Sequence, residues 1–154
     1  MNKYENETIG NIILMKNIVF TNERKNTHEI DHSWRTGRPC LIIYSDNEYD
    51  YFLTMKSSIT NTKFQKYYVS LNESELLYKS INKFCKNNLK KFSKKIVKGY
   101  INFETIYKTP ISWHDEIGKI SFEKYKEIID KIKEYNKTEN LSTLFKEAKT
   151  IKGR

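Results

Sequence analysis

A hairpin pattern between residues 38 and 57 constrains the fold of this chain more than any other segment. Arg38 to Ser45 is a nearly continuous apolar run, Asp46 to Glu48 is rich in turn-forming residues, and Tyr49 to Ser57 returns as a second apolar run. Two strands joined by such a short turn pair with each other in an antiparallel ladder. The segment therefore predicts two neighbouring strands of a sheet.

Further strands are predicted before and after this hairpin. Gly10 to Phe20 is rich in β-branched residues and predicts a first strand, whereas the polar stretch from Thr21 to Gly37 predicts a long loop. Lys66 to Leu71 and Tyr100 to Tyr107 show strand-like alternation, and Pro110 ends the second of them. The N-terminal half is thus predicted to be rich in strands.

Two helical regions are also predicted. Between about residues 72 and 98, Ser74 is a predicted N-cap, and a second short helix covers Leu89 to Ile96. Near the C-terminus, Ser121 precedes the clearest helical pattern of the chain, and Leu141 to Lys149 predicts a last short helix. The apolar positions at helical spacing are Leu76, Leu77, Ile81 and Phe84 in the first region and Tyr125, Ile128, Ile129 and Ile132 in the second.

These elements predict a single domain of the α+β class over residues 1–154. A strand-rich N-terminal half, a helical pair inserted at about residues 72–98, one returning strand and a C-terminal helix follow one another. We expect them to form a strongly twisted, partly closed antiparallel β-sheet with the helices packed on it.

The charge balance favours a nucleic acid as the partner. The chain has a net charge of +9, and only four of its 28 basic residues are arginines. Lysine in such excess creates a diffuse positive potential, and 11 tyrosines suit a surface that stacks bases between phosphate contacts. A coding bias towards lysine would explain part of the charge, and many tyrosines are expected in the core.

The sequence indicates neither a metal site nor a membrane span. Cys40 and Cys85 lie far apart without metal-ligand spacing, and Cys40 falls within an apolar strand, so a buried reduced thiol is expected. The apolar runs are too short for a signal peptide or a membrane helix. A cytoplasmic protein is therefore expected.

Several short motifs carry a resemblance to a known family. They are Gly10-Asn11-Ile12-Ile13-Leu14, Gly37-Arg38-Pro39, Lys56-Ser57-Ser58 and Ile117-Gly118-Lys119-Ile120. In this order they resemble the MazF/Kid group of toxin ribonucleases, which share a small barrel-like sheet with the CcdB toxin. The resemblance covers most of the chain, and its specificity comes from the order of the motifs.

The lysine-rich region between residues 72 and 98 is similar to an insertion in type III toxin–antitoxin toxins of the ToxN, AbiQ and CptN branches. This resemblance implies a metal-independent endoribonuclease without a cofactor, which cuts mRNA to leave 2′,3′-cyclic phosphate and 5′-hydroxyl ends. It also implies an RNA pseudoknot antitoxin as the partner, a closed protein–RNA hetero-oligomer, no membrane partner and a role in abortive infection.

Five residues are predicted to form the catalytic site. The resemblance implies that Arg38 gives the phosphate a fixed cation and that Ser57 and Ser58 hydrogen-bond to its oxygens. His32 is the predicted general acid or base, because imidazole titrates near neutral pH. A shift of one residue decides whether Lys56 or Ser57 faces the phosphate, because strand side chains alternate between faces. Each residue also has an ordinary interpretation, as a surface cation, a turn former or a solvated loop residue.

Other residues are predicted to bind RNA outside the catalytic site. Trp34 is expected either to stack on a base or to cover the core, and Lys63 to hold a flanking phosphate. A run of lysines in the insertion recurs at three- and four-residue steps, which predicts either a groove for RNA or a solvated helix face. This run includes Lys83, Lys86, Lys90, Lys91 and Lys94.

Two alternative functions stay open at this point. A MazF-type mRNA interferase with a protein antitoxin would share the fold, and a non-catalytic RNA-binding domain would share the charge.

Overall fold

The computed structural model of the chain describes residues 4, 7–15, 18–22, 27–30, 38–56, 62–79, 98–112, 114–150 and 152–153. Within these residues, eight strands form one sheet and three form another. The strands are β1 (Asn11–Met15), β2 (Ile18–Asn22), β3 (Thr27–Ile30), β4 (Arg38–Ser45), β5 (Tyr49–Lys56), β6 (Tyr68–Asn72), β7 (Leu76–Lys79), β8 (Lys98–Pro110), β9 (Asp115–Ile120), β10 (Lys149–Thr150) and β11 (Lys152–Gly153). The helices are α1 (Phe122–Asn136) and α2 (Ser142–Lys146), and two 3-10 helices cover Thr62–Tyr67 and Glu73–Glu75.

The larger sheet is curled into a half-barrel. Its strands follow the order β10-β8-β5-β4-β1-β9-β7, and β6 pairs with β8 outside this order. The pairs are antiparallel except for β10 with β8, which is parallel. The smaller sheet has the order β11-β2-β3. With the two helices, this arrangement confirms the predicted α+β class and its curled, mainly antiparallel sheet.

The strand β8 changes its partner along its length. Its residues 98–102 pair with β6, whereas its residues 107–108 pair with β10. On its other edge, Thr54 pairs with Asn102 and Phe52 with Tyr107, so residues 103–106 lie opposite the single Leu53. Extra residues on one strand of a pair bend that strand and increase its twist. β8 is therefore bent between its two halves.

The central strands are buried on both sides of the sheet. Leu41 and Leu53 lie on what we call the inner side, in the main core with Ile128 and Ile132 of α1. The opposite, outer side carries a smaller buried cluster. This cluster consists of Ile13, Met15, Cys40, Ile42 and Phe52, with Tyr107 packed against it. Burial on both sides explains why β4 has a continuous apolar sequence rather than an alternating one.

The predicted central hairpin is confirmed. β4 and β5 begin where the apolar pattern predicts, and β5 extends at least to Lys56. In the turn, a carboxylate oxygen of Asp46 accepts hydrogen bonds from the backbone N–H groups of Glu48 and Tyr49, at 2.8 and 2.7 Å. Cys40 is completely buried, as predicted.

The predicted helix after Ser121 is also confirmed. The Ser121 hydroxyl caps α1 by accepting a hydrogen bond from the Lys124 backbone N–H at 3.1 Å. The helix ends at Asn136, and Lys137 then adopts a left-handed conformation with φ 54°. α2 is shorter than predicted, because Lys149–Thr150 pair with β8 instead. No helix in the described part of the chain is long and apolar enough to cross a membrane.

The N-terminal region differs from its prediction. Gly10 to Phe20 is not one strand, because β1 ends at Met15 in the large sheet and β2 begins at Ile18 in the small one. The expected loop from Thr21 to Gly37 contains the end of β2 and all of β3, which pair with each other. Cross-strand backbone pairing forms β3 in a polar segment, and a local hydrophobicity pattern does not reveal such pairing.

The start of the predicted helical insertion is also different. The 3-10 helix Glu73–Glu75 replaces the expected N-cap at Ser74, and β7 follows it and pairs with β9. Leu76 packs against the main core, whereas Leu77 is 40% exposed, which is the alternation of a strand. The helical interpretation of these two leucines is wrong, because their pairing partner lies far along the sequence. Residues 80–97 of the predicted insertion lie outside the described residues.

Two lysines belong to the core rather than to the surface charge. Lys119 Nζ donates hydrogen bonds to the backbone oxygens of Glu7 and Ile9, at 2.7 and 2.8 Å. Lys124 Nζ lies 2.9 Å from a carboxylate oxygen of Glu75 and is 4% exposed. These buried cations fasten the N-terminal segment to β9 and the β6–β7 connection to α1. They do not contribute to a binding surface.

Candidate nucleic-acid interface

A polar surface forms where β5, β8 and β6 lie side by side. Tyr100 of β8 pairs with Lys56 of β5 on one edge and with Ser70 of β6 on the other. In the next row on the same side, Asn102 pairs with Thr54 and Tyr68. We call these six residues the outer polar face: Thr54, Lys56, Tyr68, Ser70, Tyr100 and Asn102.

The side of the sheet on which this face lies follows from its neighbours. Between the two rows, Ile101 pairs with Met55 and Val69, and all three side chains are buried in the main core. Because strand side chains alternate, the two rows project to the opposite, outer side. Thr54 also pairs with Cys40 of the outer cluster. The outer polar face therefore lies on the outer side of the sheet. It is next to the outer cluster, at the end of β5 that is remote from the hairpin turn.

The face combines positive charge with aromatic rings. Lys56 and Ser70 are exposed, Tyr68, Tyr100 and Asn102 are half-buried, and Thr54 is buried at the edge of the face. Lys56 Nζ lies 6.0 Å from the centre of the Tyr68 ring, at the outer limit of a cation–π contact. None of the six residues is acidic.

The 3-10 helix before β6 carries two further cations, and its Tyr67 packs on α1, on a different side of the sheet from the outer polar face. Lys63 and Lys66 are both exposed, and Lys66 Nζ lies 5.2 Å from the centre of the Tyr67 ring. The Tyr67 ring packs edge-on against Tyr135 of α1, with a distance of 5.4 Å between the ring centres. The lysines therefore stand on a segment that contacts α1. Cations interleaved with aromatic rings are the groups that bind the backbone and bases of single-stranded nucleic acids.

Arg38 begins β4 next to this face. It pairs with Met15 of β1, and the register that pairs Cys40 with Thr54 places residue 38, two positions earlier, opposite Lys56. The structure thus brings two predicted catalytic residues to neighbouring backbone positions at one end of the sheet.

The burial of β5 shows the side of the sheet on which Lys56 lies. Met55 is buried in the main core, whereas Lys56 is exposed on the outer side, next to Tyr100. The choice between Lys56 and Ser57 as the residue that faces a phosphate stays a prediction. Ser57 and Ser58 lie outside the described residues.

The remaining predicted residues divide into two groups. Lys63 is described and is exposed on the 3-10 helix that precedes β6. The others lie outside the described residues, and their predicted roles stay predictions. They are His32, Trp34, Lys83, Lys86, Lys90, Lys91 and Lys94.

Sequence reasoning missed Tyr68, Ser70, Tyr100 and Asn102. The alternation of exposed and buried residues in Tyr68-Val69-Ser70-Leu71 is visible in the sequence. It indicates which residues share a side of β6. It cannot indicate that Ser70 and Tyr100 are neighbours, because this pairing joins segments that lie far apart in the chain.

Two clear pKa shifts lie at the hairpin turn, at the far end of β5, and burial raises the pKa of a third group, Tyr125 of α1. Hydrogen bonds from the backbone of Tyr49 and Glu48 lower the pKa of Asp46. Burial raises the pKa of Tyr51 to about 12, and the hydrogen bond from its hydroxyl to Asp46 adds to the shift. Asp46 and Tyr51 stabilise the turn and do not belong to the outer polar face.

A cavity of about 190 Å³ lies beneath the bend of β8. Phe103 and Ile106 line one side, and Asn136, Leu144 and Glu147 from the C-terminal elements line the other. Glu104 and Glu147 give it two carboxylates beside Lys149, which suits an anionic ligand poorly. The cavity is distinct from the outer polar face.

Comparisons with known proteins leave the family open. No model of a protein family matches the chain, and no curated protein matches it. Within the described residues, no three histidine, cysteine, aspartate or glutamate side chains are close enough to hold a metal ion.

Proposed function

We propose that the chain is a metal-independent endoribonuclease toxin of a toxin–antitoxin system. The observation that carries this proposal is the position of Lys56. It is exposed at the end of β5, next to Tyr100 and opposite the position of Arg38. An exposed lysine beside an aromatic residue, with the backbone of a predicted catalytic arginine close by, suits an RNA phosphate and its base.

The proposed reaction is transesterification within the RNA. A ribose 2′-hydroxyl attacks the adjacent phosphorus, so that a bond from the 2′-oxygen to phosphorus forms while the bond to the 5′-oxygen breaks. His32 accepts the proton of the 2′-hydroxyl, and a water molecule donates a proton to the leaving 5′-oxygen. Arg38 and Lys56 stabilise the negative charge that develops on the pentacoordinate phosphate, which Ser57 and Ser58 orient.

The finer description of the fold and the partner belongs to the same proposal. The curled sheet supports a partly closed barrel of the MazF/CcdB type, and the net charge of +9 supports a large polyanion as the partner. We propose that this partner is an antitoxin RNA pseudoknot, which forms a closed hetero-oligomer with the toxin in the cytoplasm. The lysines between residues 83 and 94 would line its binding groove.

Incubation of the purified protein with A-rich RNA in EDTA tests the proposal. We expect cleavage by the wild-type protein, with 2′,3′-cyclic phosphate ends detected by mass spectrometry, and loss of cleavage in Arg38→Ala and Lys56→Ala. Lys108→Ala is a matched control, because Lys108 lies on β8 at the opposite end of the β5–β8 pair. Intact RNA with the wild-type protein, or equal cleavage by Arg38→Ala, would refute the proposal.

A non-catalytic RNA-binding domain is the second candidate. The outer polar face supports it, since this face suits binding whether or not a reaction follows. This candidate requires strong, salt-sensitive RNA binding with no turnover by the wild-type protein.

Sequencing the small RNA that co-purifies with the protein separates an RNA antitoxin from a protein antitoxin.

A further inference from the structure

We infer that Tyr100 stacks on one base of a single-stranded RNA whose phosphate is held by Lys56. This inference rests on the RNA-binding part of the proposed function and names the form of RNA that the face accepts. Tyr100 lies in the middle of the outer polar face, with Lys56 on one side and Ser70 on the other. It is half-buried, so part of its surface remains exposed to a ligand.

The position of the Lys56 side chain supports this arrangement. Lys56 is on β5 and Tyr68 is on β6, and β8 lies between these two strands. Neighbouring strands are about 4.8 Å apart, so β5 and β6 are separated by about twice that distance. Lys56 Nζ nevertheless lies 6.0 Å from the centre of the Tyr68 ring. The Lys56 side chain therefore leans over β8, the strand that carries Tyr100.

This geometry assigns different roles to the two tyrosines. Tyr68 is a positioning residue, because its ring centre lies 6.0 Å from the Lys56 ammonium group, within reach of a weak cation–π contact. Tyr100 pairs directly with Lys56, and directly opposite residues in a ladder have Cβ atoms about 5 Å apart. A base and the phosphate of the same nucleotide span a similar distance. One nucleotide can thus contact both Tyr100 and Lys56.

The arrangement selects against double-stranded RNA. In a duplex the faces of the bases are covered by their stacked neighbours, so that a tyrosine ring cannot stack on them without opening the helix. A single strand presents both the phosphate and the face of the base. We therefore expect the outer polar face to bind single strands and to bind duplexes only through the lysines.

Binding to RNA that cannot be cut tests this inference separately from nuclease activity. The probe is a short fluorescein-labelled strand of 2′-O-methyl RNA, alone or annealed to its complement, and the measurement is fluorescence anisotropy. We expect Tyr100→Leu to weaken single-strand binding by about tenfold to a hundredfold, the usual effect of removing one stacked ring. Tyr100→Phe keeps the ring and should bind within a few-fold of the wild-type protein.

Two other variants separate stacking from general effects. Tyr68→Leu should weaken binding and Tyr68→Phe should restore it, because the ring alone positions Lys56. Phe122→Leu is the matched control, since Phe122 is an aromatic residue that is 41% exposed at the start of α1, outside the face. It should bind like the wild-type protein.

Each outcome supports or overturns the inference. Unchanged single-strand binding by Tyr100→Leu, or equal affinity of the wild-type protein for the duplex, would overturn it. If Tyr100→Leu fails to fold, photo-cross-linking of the wild-type protein to 5-iodouridine RNA replaces it, and a cross-link that maps away from Tyr100 would overturn the inference. A wild-type protein that cuts no RNA but needs Tyr100 for binding would refute the nuclease proposal and leave this inference intact.

Discussion

The two ends of the β5–β8 pair each have a lysine close to a tyrosine ring, but the neighbouring residues differ. At the turn end, Lys108 Nζ lies 4.7 Å from the centre of the Tyr49 ring. At the other end, Lys56 Nζ lies 6.0 Å from the centre of the Tyr68 ring. A lysine over a tyrosine is therefore present in both places.

The difference lies in the carboxylates. At the turn end, the Ser45 hydroxyl donates to Asp50 at 2.7 Å, and the Tyr51 hydroxyl donates to Asp46 at 2.9 Å. The charge of Lys108 also helps to lower the pKa of Asp46. The outer polar face contains no carboxylate. At the turn, acidic groups compensate the charge of the lysine, so the lysine–tyrosine pair serves the structure. On the outer polar face no carboxylate compensates the charge, so the pair is suited to bind an anion.

The largest expected effect is a difference in stability between variants of two adjacent residues, Met55 and Lys56, at the end of β5 remote from the turn. Met55→Ala should lower the free energy of unfolding by about 2–5 kcal/mol, because Met55 is buried in the main core. Lys56→Ala should change it by less than about 0.5 kcal/mol, because Lys56 is exposed. Urea denaturation of both variants measures the difference. Equal losses of stability would mean that the register of β5 is wrong.

The salt dependence of RNA binding should differ between variants of Lys56 and of Lys108. Lys56→Gln should weaken binding severalfold and reduce the slope of log K against log salt concentration by about one, because one phosphate contact is lost. Lys108→Gln should change neither by a comparable amount, since Asp46 lies near Lys108. Anisotropy titrations at several salt concentrations measure both slopes. Equal slope changes would remove the distinction between the two ends.

At the turn end, Tyr51→Phe should lower the free energy of unfolding by about 1 kcal/mol, through loss of the hydrogen bond to Asp46. Since the pKa of Tyr51 is raised to about 12, this tyrosine favours the folded state while it is protonated. The stabilisation is complete below pH about 10, the ordinary pKa of tyrosine, and is lost as the pH rises through 12. The stability difference between the two proteins should therefore shrink between these pH values, which chemical denaturation in alkaline buffers measures.

The smallest expected effect is that of Asp46→Asn. Hydrogen bonds from the Tyr49 and Glu48 backbone lower the pKa of Asp46, so the ionised carboxylate favours the folded state. This stabilisation is present above the ordinary pKa of aspartate, about 3.9, and is lost as the pH falls below it. The wild-type protein should lose more stability on acidification than Asp46→Asn. An identical acid dependence of the two proteins in thermal melts would contradict this.

The sequence predicts those elements that local patterns determine. The hairpin of β4 and β5 and the helix α1 are confirmed because their apolar residues and turn or cap residues lie within one short segment. β3 and β7 are not predicted, because a distant partner strand stabilises each of them. The leucines 76 and 77 fit a helical spacing as well as a strand, and only pairing with β9 decides between the two.

The candidate site is predictable to a similar extent. Arg38 and Lys56 could be placed at the ends of neighbouring strands, because one turn joins those strands and fixes their register. Tyr68 and Tyr100 could not be added, since the β6–β8 register depends on contacts between distant segments. The burial of Lys119 and Lys124 could not be predicted, because lysine is mostly exposed and the partners of these two lysines lie far along the chain.

The bend in β8 limits the size of the surface available to a ligand. Before the bend, five residues of β8, 98–102, pair with β6. At about 3.4 Å per residue, this half measures about 17 Å along the strand. Beyond residues 103–106 the strand turns away, and the lysines there, Lys108 and Lys149, lie near carboxylates of the turn and of the cavity. The described face therefore offers a footprint of only a few nucleotides, so that any longer sequence must be read by other parts of the chain.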